Sequence, residues 1–297
     1  MLTFLLRTLP VLFVVVLALL AAAAFVGRVW PGPGVLWYTS SAGDVYHDLA
    51  RGWMLRAPSS VGQRSVPSPD GRLELRVVLL QEPQRTVSFV LAQPLAPAGP
   101  DAPRLEMPAD RAPSLPQWSP DGTQAVLSAR PTAEADEQLY LLAVPAMTLQ
   151  ALTQPPAPRL HPRWSPDGTR LVFQQWDGAQ WDLAVMRLAD GAISLLTRTP
   201  DSETAPVWSP DGTQIAYVAS SRAGSAIYSI GAGGGTRALL ADGPGNDTSP
   251  AWSPDGRYLA FVSTRGGTAH VFVQALSDGE AVQVSNEDWA TQPMWWR

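Results

Sequence analysis

The chain contains no cysteine, and all 21 of its basic residues are arginine, so lysine is absent as well. Without thiols there is no disulfide framework, no thiolate metal site, no cysteine nucleophile and no bacterial-type lipid attachment through cysteine, and the redox compartment stays open. The arginines are outnumbered by 26 acidic residues, and a net charge of -5 with no basic run argues against nucleic acid as a partner. Catalytic signatures are missing too. Neither Gly-x-Ser-x-Gly nor His-Glu-x-x-His occurs, which removes the local marks of a serine hydrolase and of a zincin. The stretch "GAGGGT" at 231–236 lacks the lysine and the helix pattern of a phosphate loop, and stands where other repeats have a hairpin turn. No cofactor is expected from these absences.

Long apolar runs are also missing, with one exception. Between Arg7 and Arg28 lie 20 uncharged residues, "TLPVLFVVVLALLAAAAFVG", long enough as a helix to cross a hydrocarbon core of about 30 Å. A cleaved secretory signal is the rival reading, with Ala22, Ala23 and Ala24 as small residues for a peptidase. The apolar length favours an uncleaved, single-pass anchor. Either way Arg7 and the amino terminus favour a cytoplasmic start, which puts the remainder outside the cytoplasm; Arg28 on the far side weakens the asymmetry. Residues 1–34 are therefore assigned to an anchor or signal with its linker, and 35–297 to a folded domain.

What the domain has in abundance is one sentence, rewritten. Ser-Pro-Asp-Gly recurs with its aspartate at Asp70, Asp121, Asp167, Asp211 and Asp255, spaced by 51, 46, 44 and 44 residues. A fixed period of this size marks one supersecondary unit copied many times. Proline presets the second turn position and glycine tolerates a left-handed backbone at the fourth, so each copy reads as a tight turn between strands, with its aspartate a turn residue and not a catalyst. Branched and aromatic runs follow, such as "IAYVA" at 215–219. Apolar at consecutive positions, they suit strands covered on both faces. Four short strands fit in each unit, and such units form the blades of a propeller.

Both ends of the domain hold fragments of a blade. "PMWWR" at 293–297 resembles another opening with no turn after it, while "VLWYTSS" at 35–41 and "DVYHDLA" at 44–50 match second and third strands with no opening before them. The expected architecture is all-β: five blades starting near residues 65, 116, 162, 206 and 250, and a sixth split between the two ends, preceded by one transmembrane helix. Closure of that kind leaves no unpaired sheet edge at the junction. Trp118, Trp164, Trp208, Trp252 and Trp295 share one place in the repeat and are assigned to the core between blades.

The pattern Pro-x-Trp-Ser-Pro-Asp-Gly followed by "YLAF" or "QIAY" resembles the repeat of TolB-like propellers, a WD-repeat-like group. The resemblance covers about residues 35–297. It implies a six-bladed fold, and the best-known member of the group is a periplasmic protein that binds membrane-associated partners. That protein carries an additional amino-terminal domain absent here, where an apolar segment stands instead, so fold is carried over and partner is not.

In a propeller the segment before each Pro-x-Trp lines one mouth of the central channel. This register selects Gln63, Arg64, Ser114, Arg159, His161, Glu203, Thr204, Asp247, Thr248, Asp288 and Thr291, with Trp176, Asp177, Trp181, Arg222, Arg265 and His270 on neighbouring loops. The binding candidates are Arg159, His161, Glu203, Thr204, Asp247, Thr248, Trp176 and Trp181. Solvated loop positions would look the same, but a ring of loops is concave and suits a ligand. One exposed indole of Trp176 or Trp181 would anchor a partner, and packing within the blade would account for both equally well. For a metal, only His161 with Glu203 or Asp247 offers a combination. Two functions follow as expectations: a monomeric, membrane-tethered scaffold for a protein, peptide or glycan, or a metal-assisted hydrolase or lyase at the channel mouth.

Overall fold

The computed structural model describes residues 35–40, 43–48, 53–57, 64–70, 72–82, 85–94, 104–108, 113–132, 134–144, 146–277, 279–285 and 290–296. The apolar segment between Arg7 and Arg28 lies outside them, as do Gln63 and Asp288. Among the described residues no helix is long and apolar enough to cross a membrane.

The described strands run in chain order as β1 (Val35–Ser40), β2 (Gly43–Asp48) and β3 (Trp53–Ala57), then β4 (Arg64–Pro67), β5 (Leu73–Glu82), β6 (Arg85–Pro94) and β7 (Arg104–Pro108). Next come β8 (Gln117–Trp118), β9 (Gln124–Ala129), β10 (Gln138–Ala143) and β11 (Thr148–Ala151), then β12 (Arg159–Trp164), β13 (Arg170–Trp176), β14 (Trp181–Arg187) and β15 (Ile193–Leu195). The last two groups are β16 (Ser202–Trp208), β17 (Gln214–Ser221), β18 (Gly224–Gly231) and β19 (Ala238–Ala241), and β20 (Asp247–Trp252), β21 (Tyr258–Ser263), β22 (His270–Ala275) and β23 (Ala281–Gln283), followed by β24 (Thr291–Trp296). Five of these groups are four-stranded antiparallel sheets in chain order. In the remaining sheet the order is β24, β1, β2, β3: Leu36 stands opposite Trp295 and Val35 opposite Trp296. The two ends of the domain thus share one sheet.

Each turn between first and second strands is built by the Ser-Pro-Asp-Gly tetrapeptide. In the copy at Ser209, the hydroxyl donates to Asp211 Oδ1 at 2.6 Å and accepts from the Gln214 amide at 2.9 Å, while Asp211 Oδ1 also accepts from the Thr213 amide at 3.0 Å. Gly212 closes the turn at φ +70°, a conformation that a Cβ would strain. The carboxylates are spent on their own loops, as turn residues should be. Turns of successive sheets also touch: a Cβ on Gly212 would lie 3.5 Å from Pro166 of the preceding turn, and one on Gly122 would lie 3.5 Å from Pro69.

The core lies between sheets. The second strands β9, β13, β17 and β21 are buried along most of their length, as are the third strands β14 and β22. Val172, Leu183 and Val185 pack with Ile215 and Tyr217 of the next sheet, and Ala216 and Val218 pack with Leu259 and Phe261 of the one after. Leu36 joins Ala260, Val262 and Val271, so the sheet shared by the two ends is packed against its neighbour like the others. Fourth strands face outward; β15 is exposed throughout. First strands face one another across the sheets, β12 beside β16, β16 beside β20 and β20 beside β24.

The repeated tryptophans bridge that inner layer. The indole Nε1 of Trp164 donates to the carbonyl of Gln117 at 3.0 Å, that of Trp208 to Arg163 at 3.2 Å and that of Trp295 to Ala251 at 3.1 Å. Each acceptor is the residue just before the tryptophan of the preceding sheet, so one hydrogen bond ties each of these three pairs of first strands, whereas the buried indole Nε1 of Trp252 has no such partner.

Candidate functional site

Four first strands break in the same way. His161, Ala205, Ser249 and Gln292 take φ between 51° and 54°, each followed by a proline and placed three residues before its tryptophan. In β12, β16 and β20 the ladder slips across these residues, between Leu160 and Arg163, Thr204 and Val207, and Thr248 and Ala251. A left-handed backbone costs a non-glycine residue about 1–2 kcal/mol, so surrounding structure must hold it. Proline at the next position leaves no N–H to satisfy in the bulge. At Ala205 the amide is taken by Gln174 Oε1 of the preceding sheet at 3.2 Å.

Of the candidate residues, His161 has an exposed side chain at a crowded strand entry, where desolvation by the protein around it and, secondarily, the Arg163 charge lower its pKa. Arg159 works as a staple: Nε donates to Gln175 Oε1 at 3.0 Å, and Nη1 to Gln138 Oε1 of the preceding sheet at 3.1 Å and to the carbonyl of Gln154 at 2.9 Å. Thr204 and Thr248 are half-buried. Asp247 is 1% exposed and paired with Arg265 at 2.8 Å; that guanidinium also donates to Ser263 Oγ and lies over the Phe272 ring at 4.7 Å. Glu203 is fully buried. Glu203 and Asp247 therefore have separate partners, those of Asp247 lying on its own sheet. Among the described residues no group of three or more His, Asp or Glu side chains is placed to hold a metal ion.

Trp176 and Trp181 face each other across β13 and β14, edge to face with ring centroids 5.4 Å apart. The tip between them is a two-residue turn. Asp177 N donates to the carbonyl of Gln180 at 3.1 Å, Asp177 Oδ1 accepts from the amides of Ala179 and Gln180, and Gly178 holds φ +106°. Both indoles are half-buried above an exposed Asp177, Gly178 and Ala179.

Glu203 lies close to this hairpin. Its Oε2 accepts from the Thr197 hydroxyl at 3.0 Å and its Oε1 from the Thr199 hydroxyl; the Thr197 hydroxyl also accepts from the amide of Leu183, which places Asp182 on β14 beside it. Burial drives the Glu203 pKa up to about 7 against the pull of the two hydroxyls, with Asp182 adding to the rise. Asp182, 4% exposed, is raised in the same direction, again by burial first.

Asp182, Thr197 and Thr199 escape a search confined to the strand entries, yet a signal for two of them is present. Thr153, Thr197 and Ser285 fall on the 44-residue comb, and their hydroxyls accept from the amides of Leu139, Leu183 and Val271 at 2.9 Å. Gln138, Asp182 and His270 fall on the same comb at the start of third strands.

Four-stranded antiparallel sheets packed face to face around a layer of first strands define a β-propeller. Residues 148–296 match the family model described as the TolB beta propeller domain, and the chain belongs to that family. Among solved structures it is similar to TolB from Acinetobacter baumannii (TM-score 0.67, 16% identity, covering 89% of this chain and 67% of that one). It is also similar to a protein described as putative TolB from Agrobacterium tumefaciens (TM-score 0.62, 20% identity, 84% and 87%). An oligogalacturonate lyase in complex with manganese is a further likeness (TM-score 0.56, 15% identity, 82% and 70%). At these identities the likeness is one of fold. No curated protein matches the chain.

Proposed function

We propose that the six described sheets are the blades of one closed ring, with β24, β1, β2 and β3 as the blade shared by the two ends, and that this propeller is a binding scaffold outside the cytoplasm. In this reading residues 1–34 supply a single-pass anchor or a signal, 35–297 form the monomeric propeller, and the ligand is a protein, peptide or glycan. The hairpin of Trp176 and Trp181 carries it. Two half-buried indoles at an exposed tip, beside the strand entries that hold His161 and Thr204, give an amphipathic anchor of the type that dominates binding energy.

Capture from detergent-solubilised native membranes, run with the parent chain and with a His161→Ala, Trp176→Ala variant, tests the proposal. The parent is expected to retain a partner that the variant loses while keeping its circular dichroism. A variant that holds every partner overturns this choice of surface. The competing reading, a metal-assisted hydrolase or lyase at the channel mouth, is supported by the fold likeness to the manganese-bound lyase. Calorimetric titration with Zn²⁺, Ca²⁺ and Mn²⁺ divides the two: saturable binding to the parent favours the enzyme, and its absence favours the scaffold.

A further inference from the structure

Two buried carboxyl groups from neighbouring sheets lie side by side, joined through the Thr197 hydroxyl, which donates to Glu203 and accepts from the Leu183 amide next to Asp182. Asp182 stands at the start of β14, one residue after the hairpin tryptophan, and Glu203 lies in β16. Asp182 Oδ1 is buried with no hydrogen-bond partner, and the two threonine hydroxyls are already engaged with Glu203. Two carboxylates held side by side at such a buried place repel and resist ionising together; a carboxyl and a carboxylate sharing a proton attract. The proton then belongs to the pair.

The same junction is tied twice more. Gln180 Nε2 donates to the carbonyl of Thr199, and the Trp181 amide donates to Ser202 Oγ at 3.4 Å. All three ties join the hairpin tip to one short segment, 199–203, that leads into the next sheet. We infer that Asp182 and Glu203 form a proton-operated latch, which holds the hairpin of Trp176 and Trp181 against β16 while one proton is shared and loosens it when that proton leaves.

The charges around the latch do not replace the proton. Asp177, on the hairpin itself, adds repulsion to Asp182, and exposed Arg198 offsets it only weakly. From β17, Tyr217 faces Glu203 with its hydroxyl buried and unpartnered, its pKa pushed up to about 12 chiefly by burial, so it stays neutral. Arg237, which also faces Tyr217, is committed to Asp201 at 3.0 Å and lies over the Tyr228 ring at 4.3 Å. Because the Glu203 pKa is higher folded than unfolded, the folded chain binds more protons between pH 4.5 and about 7. Stability from the latch is therefore complete at the acid end and is lost as pH rises through that window.

The inference deepens the binding role proposed for the hairpin, but its test reads the protein alone, so failure of one leaves the other standing. The full chain and its Glu203→Gln variant are unfolded in urea from about pH 5 to about pH 8. The variant removes the titrating carboxyl of Glu203 and offers an amide N–H in its place. The parent's unfolded-to-folded ratio is expected to climb by up to about tenfold per pH unit relative to the variant's, since the difference cancels His161 and other shared groups. Hydrogen exchange at the amides of Gln180 and Trp181, corrected for intrinsic rate, is expected to quicken with pH in the parent only. Should Glu203→Gln not fold, Asp182→Asn carries the same comparison. Parallel pH profiles for parent and variant, or exchange at the hairpin that follows the intrinsic rate in both, overturn the latch.

Discussion

The indole Nε1 of Trp208 donates to the carbonyl oxygen of Arg163 across the gap between two sheets, 3.2 Å away, and its ring lies 4.7 Å beneath the Arg170 guanidinium. One side chain thus links β16 to β12 through a hydrogen bond and to β13 through a cation over its ring. Trp208→Ala is expected to cost about 3–5 kcal/mol, as deletion of a large buried aromatic does. Urea unfolding measures it. A loss below about 1 kcal/mol would show that the repeated tryptophan is decoration and not core.

Asp247 depends on Arg265 in a different way. Arg265→Ala leaves a carboxylate at 1% exposure with its Oδ1 already lacking a partner, and is expected to destabilise by about 3–5 kcal/mol. Adding Asp247→Asn to that variant should restore part of the loss, because the buried charge goes with it. The pair of unfolding curves reads both effects, and a double variant no better than the single one would refute the assignment.

Asp167 is expected to contribute to the acid limb of stability. Asp167 is held down to about 2, first by the Ser165 hydroxyl at 2.5 Å and then by the Thr169 amide at 3.0 Å. A folded pKa below the unfolded value of 3.8 means stability that is present above that value and lost as pH falls toward 2. The stability gap between the parent and Asp167→Asn should accordingly be widest near neutrality and shrink below about pH 4. A gap that stays constant down to pH 2 would contradict it.

Closure of the ring is tested at the carboxyl end. Residues 293–297 hold most of β24, which pairs with β1 and carries the Trp295 bond to Ala251. Their removal should lower the thermal midpoint steeply, since several kcal/mol is a large share of a usual total of about 5–15 kcal/mol. An unchanged midpoint would mean that the last strand adds nothing to the fold.

The architecture was legible because its determinants are local and repeated. Serine, proline, aspartate and glycine within four positions make a turn by contacts that span no more than five residues, as the Ser209 copy does with Gln214. Fragments of the same sentence at 35–48 and 293–297 announced the pairing of β1 with β24. The proline after His161, Ala205, Ser249 and Gln292 was visible too. Its consequence was not, because a left-handed residue before proline is chosen by the ladder it must leave and rejoin.

The candidate site divided along the same line. Strand register alone put Arg159, His161, Glu203 and Asp247 at one mouth, and their polarity suggested exposure. Packing between sheets left His161 in solvent, turned Arg159 into a staple on Gln138, and buried Glu203 against Asp182 and Asp247 against Arg265. Glu203 and Asp247, 44 apart, occupy equivalent places, yet Glu203 lies beside Asp182 of the adjoining sheet whereas Asp247 pairs with Arg265, which follows β21 of its own sheet. Turn chemistry and strand pattern act over a few bonds and are written in the order of the residues. Whether a carboxyl meets water, a guanidinium or another carboxyl depends on which faces two sheets press together, and only the tertiary structure decides that.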